Sequence, residues 1–252
     1  MDALPHKTLS RIMFRSSSGY RDTSLRLVCK LFADLIPPPP EYVLNLGLTT
    51  EDPALISSAI ARRPKIANNI CEQAAIRGSL KVLKWARSLR YYWDQHVCAQ
   101  AAKNGHLHVL KWARSSGCPW NTSTCSYAAQ NGHLHILKWA RSSGCPWNNW
   151  TCNYAAEKGH LEIIKWARSQ ECPWDKWTCA QAANHGHLHV LQWARANMCP
   201  WDSWVCASAA AEKGHLEVLK WIHHNGHPWD PKYCLRAAKS HPHIQKWILE
   251  IS

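Results

Sequence analysis

Phenylalanine is almost missing from this 252-residue chain, which has 2 Phe against 16 Trp. So strong a bias toward one aromatic points to a short segment copied many times. Acidic residues are also scarce: 17 Asp plus Glu face 30 Lys plus Arg, a formal charge of +13. No apolar run approaches the roughly 18 residues of a membrane span, which excludes that class. The opening MDALPHKTLS has no apolar centre, so no secretory signal is expected. The 12 Cys would suggest a disulfide framework in a short secreted chain. In a chain of this length they fit a reducing setting instead, cytoplasm or nucleus. A phosphate-cradling glycine loop and a GxSxG elbow are lacking too, and the few carboxylates sit at expected caps and surfaces. No catalytic residue is therefore assigned, and the chain is not expected to be an enzyme.

What is present is a repeat. The Trp of a WD or WN pair recurs at Trp93, Trp120, Trp147, Trp174 and Trp201, a period of 27, and then at Trp229 after one inserted residue near Ala210. Cysteine recurs in step at Cys71, Cys98, Cys125, Cys152, Cys179, Cys206 and Cys234. About seven units run from Cys71 onward, each reading as a pair of helices. Asp94, Asn121, Asn148, Asp175, Asp202 and Asp230 follow the loop Trp and are good N-caps. Pro231 at the next position supports a helix start there. The first helix carries a narrow face of small residues, such as Cys152, Ala155, Ala156 and Gly159. The second begins near His160 and carries a wider apolar face, Leu161, Ile163, Ile164, Trp166 and Ala167, with Lys165 and Arg168 toward its C-terminal end.

AAEKGHLEIIKWARS at 155–169 resembles the ankyrin-repeat pattern AA..GHLEVVKLLL, and GCPWN at 117–121 stands where that family has GADVN. Ankyrin units are about 33 residues long. The shortfall lies between the loop Trp and the first helix, where the family places its β-turn finger. The resemblance therefore implies an all-α fold, an ankyrin-like helical-hairpin solenoid with little or no β structure. The family's TPLH is absent, and the Asp or Asn takes over the capping. Leu55, Ile56 and Ala59 lie 27 residues before Val82, Leu83 and Ala86, so residues 50–252 read as a half-repeat cap plus about seven units.

Residues 1–36 do not repeat. They read as two short amphipathic helices, and 37–49, opening on four prolines, as a Pro-rich linker. Leu4, Pro5 and Ile12, followed by Val28, Cys29, Lys30, Phe32 and Leu35, resemble an F-box. Phe32 departs from the commoner Trp, and the prolines cut short a third helix. That resemblance implies docking on the Skp-type adaptor of a cullin ubiquitin ligase through Leu4, Pro5, Ile12, Val28, Cys29 and Phe32. The build as a whole resembles the F-box/ankyrin proteins of giant DNA viruses and some protists, which implies a ligase adaptor acting in host cytoplasm. An N-terminal cap on a plain scaffold or decoy is the alternative.

Zinc is not expected, because Cys118/Cys125 and Cys145/Cys152 are seven apart and zinc sites use tighter pairs. No other metal or cofactor is expected either. Disulfides between equivalent Cys are disfavoured by helix spacings of about 8–10 Å. The His of each GH (His106, His133, His160, His187, His215) is expected to make local hydrogen bonds at the turn. HLH pairs such as His106/His108 should point to different sides of the helix. Trp85, Trp112, Trp139, Trp166, Trp193, Trp221 and Trp247 read as second-helix core. Trp150, Trp177 and Trp204 differ: they lie opposite the small face and, with Tyr127, Tyr154 and Gln181, form the candidate target-binding surface, since aromatic anchors dominate such surfaces. Covering the gap left by the missing finger is the competing role. Lys84, Lys111, Lys138, Lys165 and Lys220, with Arg87, Arg114, Arg141 and Arg168, stack into a basic stripe. It is read first as a solvated face, next as a site for acidic proteins, and last as a nucleic-acid rod. The chain is expected to be a monomer.

Overall fold

The computed structural model describes residues 38–251. Among them every regular element is helical and no strand occurs. No helix among the described residues is long and apolar enough to cross a membrane. The chain divides into two compact units after Lys65.

The first unit contains α1 (Pro40–Thr50) and α2 (Pro53–Arg62). Residues 40–49, expected within a spacer, are thus helical. Pro40 occupies the first turn, where proline's missing N–H and fixed φ are harmless, and Glu41 beside it suits the helix N-terminus. Helix α2 starts as expected, with Asp52 accepting from the Ala54 amide and Pro53 at the first position. Gly47 lets the two helices close up, because a methyl there would lie 2.8 Å from Cγ1 of Ile56.

A 3₁₀ turn (Pro64–Asn69) leads into seven helical pairs. The first helices are α3 (Ile70–Arg77), α5 (Gln95–Lys103), α7 (Thr122–Gln130), α9 (Trp150–Glu157), α11 (Lys176–Asn184), α13 (Ser203–Lys213) and α15 (Pro231–Ala237). The second helices are α4 (Leu80–Ser88), α6 (Leu107–Ser115), α8 (Leu134–Ser142), α10 (Leu161–Ser169), α12 (Leu188–Ala196), α14 (Leu216–His224) and α16 (Pro242–Ile251). The residue inserted near Ala210 is absorbed by lengthening α13 to 11 residues from the usual 9.

Side-chain size sorts the layers. Odd helices present Cys and Ala, fully buried at Cys125, Ala128, Ala129, Cys152, Ala155 and Ala156, and consecutive odd helices pack closely along the stack. Even helices bury aliphatic pairs such as Leu110 with Val109 and Leu137 with Ile136, and approach one another far less closely. Trp fills the space between them. The second-helix Trp residues, expected as core, are in fact half-buried. All but Trp85, which meets Tyr91, sit against the loop Trp of the preceding pair, ring centroids 5.9 Å apart for Trp120–Trp139, Trp147–Trp166 and Trp174–Trp193. An indole is too large for the aliphatic layer and settles in the groove beside it.

Capping follows the sequence. Asp94, Asn121, Asp175, Asp202 and Asp230 each accept from the amide two residues on. Asn148 also caps, accepting from Trp150 N at 3.2 Å, although α9 begins one residue later than its counterparts.

Candidate partner-binding face

The GH histidines do more than close a turn. His106, His133, His160 and His187 each bring Nε2 within 3.0–3.2 Å of a carbonyl 30 residues earlier, those of Ile76, Lys103, Gln130 and Glu157. His215 and His241 bond Asn184 and Glu212 in the same way. A carbonyl cannot donate, so Nε2 carries the proton. The expected bond within the turn is thus a bond between neighbouring pairs. Glycine at the preceding turn makes room for the ring: a methyl on Gly159 would lie 2.7 Å from Nδ1 of His187. Burial pushes the imidazoles of His133 and His187 below their ordinary 6.5, against the pull of the carbonyl bond. The HLH rings, expected apart, meet edge to face at 6.2 Å in His106–His108 and 6.1 Å in His133–His135.

The cysteines pair as thiols. Cys98 lies against Cys118, and the same contact recurs in Cys125–Cys145, Cys152–Cys172 and Cys179–Cys199. Each loop thiol also reaches back to the capping residue of the preceding loop, Cys118 Sγ lying 3.3 Å from the Asp94 carbonyl and Cys145 Sγ 3.5 Å from that of Asn121. The thiol contact and burial push the thiols of Cys98 and Cys125 far up, and burial is the main cause that brings Cys71 to about 11 and Cys206 to about 12. The helix thiols are therefore neutral and buried, poor nucleophiles and poor ligands, whereas the contact with Cys125 and Cys179 lowers their loop partners Cys145 and Cys199. Among the described residues no three His, Cys, Asp or Glu side chains converge to hold a metal ion.

The arginines of the basic stripe are committed to the fold. Arg114 Cζ lies 4.1 Å from the centroid of Trp120, and Arg141 stands at the same distance over Trp147. Both also donate to the carbonyl four residues on, at Cys118 and Cys145. Arg87, Arg168 and Arg195 repeat the clamp on Trp93, Trp174 and Trp201. The stripe expected from the sequence is therefore a row of lysines alone.

With Cys, His, Arg and most Trp accounted for, the candidate face lies on odd-helix positions that vary between units. One position of the odd helices reads His96, Ser123, Trp150, Trp177 and Trp204; another, one turn on, reads Gln100, Tyr127, Tyr154, Gln181 and Ser208. The cap fixes the first of these at the helix start, since the amides of Trp177 and Trp204 donate to Asp175 and Asp202 at 3.0 Å. Held there, the indoles point outward: Trp150 is 45%, Trp177 50% and Trp204 54% exposed.

The structure gathers three of the six candidate residues. Trp150 meets Tyr154 at 5.3 Å, and Tyr154 stacks on Tyr127 of α7 at 6.4 Å with planes 25° apart. Trp177 and Gln181 lie one turn apart on α11, and Trp204 stands on α13. Among the described residues these last two indoles touch no other ring of the set. The surface is a three-ring cluster followed by two separate plates rather than a continuous ladder. Partial burial, with Tyr127 and Glu157 near, pushes the Tyr154 phenol up, so it stays neutral.

Two cations and one apolar residue belong to this face as well. Lys103 Nζ sits 5.7 Å above Tyr127, and Lys176 Nζ is 5.7 Å from Trp177. Val205 joins Trp177, Lys176, Ala180 and Asp202 around a shallow cleft between α11 and α13. The sequence alone does not single out Val205, because the same position is Val97 in an earlier unit, where it is buried. One acid nearby, Glu157, pairs with Lys158 at 2.9 Å and accepts from Gln130. The face thus offers flat aromatic plates edged by Lys103 and Lys176. Leu4, Pro5, Ile12, Val28, Cys29 and Phe32, the expected adaptor contacts, lie outside the described residues.

No family profile matches the chain, and no curated protein does. Among solved structures, the crystal structure of the human ASB11 ankyrin repeat domain is similar, with a TM-score of 0.56 and 13% identity over 72% of this chain and 97% of that one. At that identity the likeness concerns the fold: this chain is built as an ankyrin-type solenoid, here on a 27-residue repeat without strands among the described residues.

Proposed function

We propose that the chain is a non-catalytic protein-binding module whose odd-helix face holds a target protein. The observation that carries this reading is the exposure of Trp150, Trp177 and Trp204 at an odd-helix position where the repeat changes its residues. Core positions repeat because packing demands it. A large indole left half in water contributes little to stability and much to an interface. Tyr127, Tyr154 and Gln181 complete the surface, with Lys103 and Lys176 at its edge.

On the resemblance of residues 1–36 to an F-box, the module recruits its target to a cullin-type ubiquitin ligase through Leu4, Pro5, Ile12, Val28, Cys29 and Phe32. Buried, unbridged thiols favour a reducing compartment, cytoplasm or nucleus, or host cytoplasm if the chain is viral. Calorimetric titration of the full chain with a Skp-type adaptor tests this. Saturable one-to-one binding that Val28→Asp/Phe32→Asp abolishes supports the ligase role. Absence of binding by the folded wild type leaves a scaffold or decoy. For the target face, Trp150→Ala/Tyr154→Ala should lower capture of the cognate partner at least tenfold, since aromatic hot spots contribute about 2 kcal/mol or more.

A further inference from the structure

The even helices carry a second exposed surface on which the reading above does not depend. On α4, α6 and α8 the outward positions are Lys81 and Lys84, His108 and Lys111, and His135 and Lys138, all exposed. These three helices contain no Asp or Glu. Among the described residues none of the four lysines has an ion-pair partner; Lys84 Nζ only stands 6.0 Å from the ring of Trp112. Later units treat the same positions differently. In α10 Lys165 pairs with Glu162 at 2.8 Å, in α14 Lys220 pairs with Glu217 at 2.9 Å, and in α12 the lysine is replaced by Gln192. The repeat therefore accepts a neutral or balanced residue there. Stacking like charges raises the energy of the folded state, so the uncompensated lysines of α4, α6 and α8 are not a requirement of the fold.

We infer that the lysine row on α4, α6 and α8 docks an extended acidic peptide segment with a carboxylate at every third residue. Neighbouring helices lie on the order of 10 Å apart. A polyproline-II segment has three residues per turn and rises about 3.1 Å per residue, so carboxylates three residues apart share one side about 9 Å apart, close to that helix spacing. A nucleic acid fits less well. The planar guanidinium groups that recognise phosphate bidentately are held in the tryptophan clamps, and the indoles of these helices, Trp85, Trp112 and Trp139, are half-buried rather than open as stacking plates.

Fluorescence anisotropy of the full-length protein decides it. The probes are a labelled 15-residue peptide of Glu-Ser-Ser repeats, the same composition with its glutamates contiguous, and a 15-nucleotide oligothymidylate. Lys84→Gln/Lys111→Gln/Lys138→Gln copies a residue the repeat already uses at Gln192, so the variant should fold. The spaced peptide should bind wild type more tightly than the clustered one, and about tenfold or more weakly to the triple variant, three exposed pairs each contributing a modest factor. Lys103→Gln/Lys176→Gln, on the odd helices, should leave this binding unchanged. Equal affinity for the triple variant, no saturable binding, no preference for the spaced peptide, or tighter binding of the oligothymidylate would overturn the inference. None of those results bears on the odd-helix face, whose own test uses different residues.

Discussion

A single interlock recurs at every junction, a glycine whose missing side chain admits the imidazole of the next pair. Gly159→Ala meets two penalties, a left-handed φ of 75° and a contact of 2.7 Å with His187. Gly144→Ala meets the first alone, since its φ is 83° but a methyl there would have nothing within 4 Å. Urea unfolding should show Gly144→Ala costing about 1 kcal/mol and Gly159→Ala about 3 kcal/mol. Equal losses would mean the histidine ring moves aside freely. The position of Gly144 is taken by Glu171 and Met198 in later units, at φ 60° and 59°. Met198 is almost fully exposed, so Met198→Gly sacrifices no packing and should stabilise by about 0.5–1 kcal/mol. Recurrence in the sequence reveals that such a histidine matters. It cannot reveal the partner, because the bonded carbonyl lies 30 residues away and belongs to a different helix each time.

At the level of the element, what was local was legible. Asp94, Asn121 and Asp175 cap helices through an amide two residues on, so the sequence holds both partners side by side. The small face of α9 and the aliphatic pairs of the even helices follow from 3.6-residue spacing in the same way. Two things were hidden. Four prolines in a row suggest a spacer, yet the last of them opens α1, since the first turn tolerates proline. Regular spacing of Arg and Trp suggests an open charged stripe, yet each arginine folds onto the indole six residues ahead. Arg141→Met should therefore cost about 2 kcal/mol in chemical denaturation, from a cation–π contact and a charge-assisted hydrogen bond lost together. Lys138→Gln, three residues earlier and exposed, should change stability by less than about 0.5 kcal/mol. On the odd helices the sequence separates Trp150 and Tyr154 from the core because their neighbours in other units differ. It does not show that Tyr127 stacks across to Tyr154 while Trp177 stands apart, since ring contact depends on how consecutive helices are offset.

For the whole molecule, acidity should be destabilising. Burial depresses His133 and His187, and burial together with Arg195 depresses His227, so the folded chain holds fewer protons at these sites than the unfolded one. Their contribution is complete above the unfolded pKa of about 6.5 and is lost as pH falls through that value toward the folded ones. His96, raised by its bond to Asp94, acts in the opposite sense but lies exposed. The melting temperature should thus fall between pH 7.5 and 5.5, and the slope should flatten in His133→Gln/His187→Gln. A melting temperature rising over that range would contradict the neutral interlock. Every one of these interlocks joins a pair to its immediate predecessor and to nothing farther away. Stretched between two beads in an optical trap, such a chain has no bond that spans the whole, so it should give way as a ratchet does, one tooth at a time. Each 27-residue tooth should pay out a little over 9 nm of chain before the next takes the load.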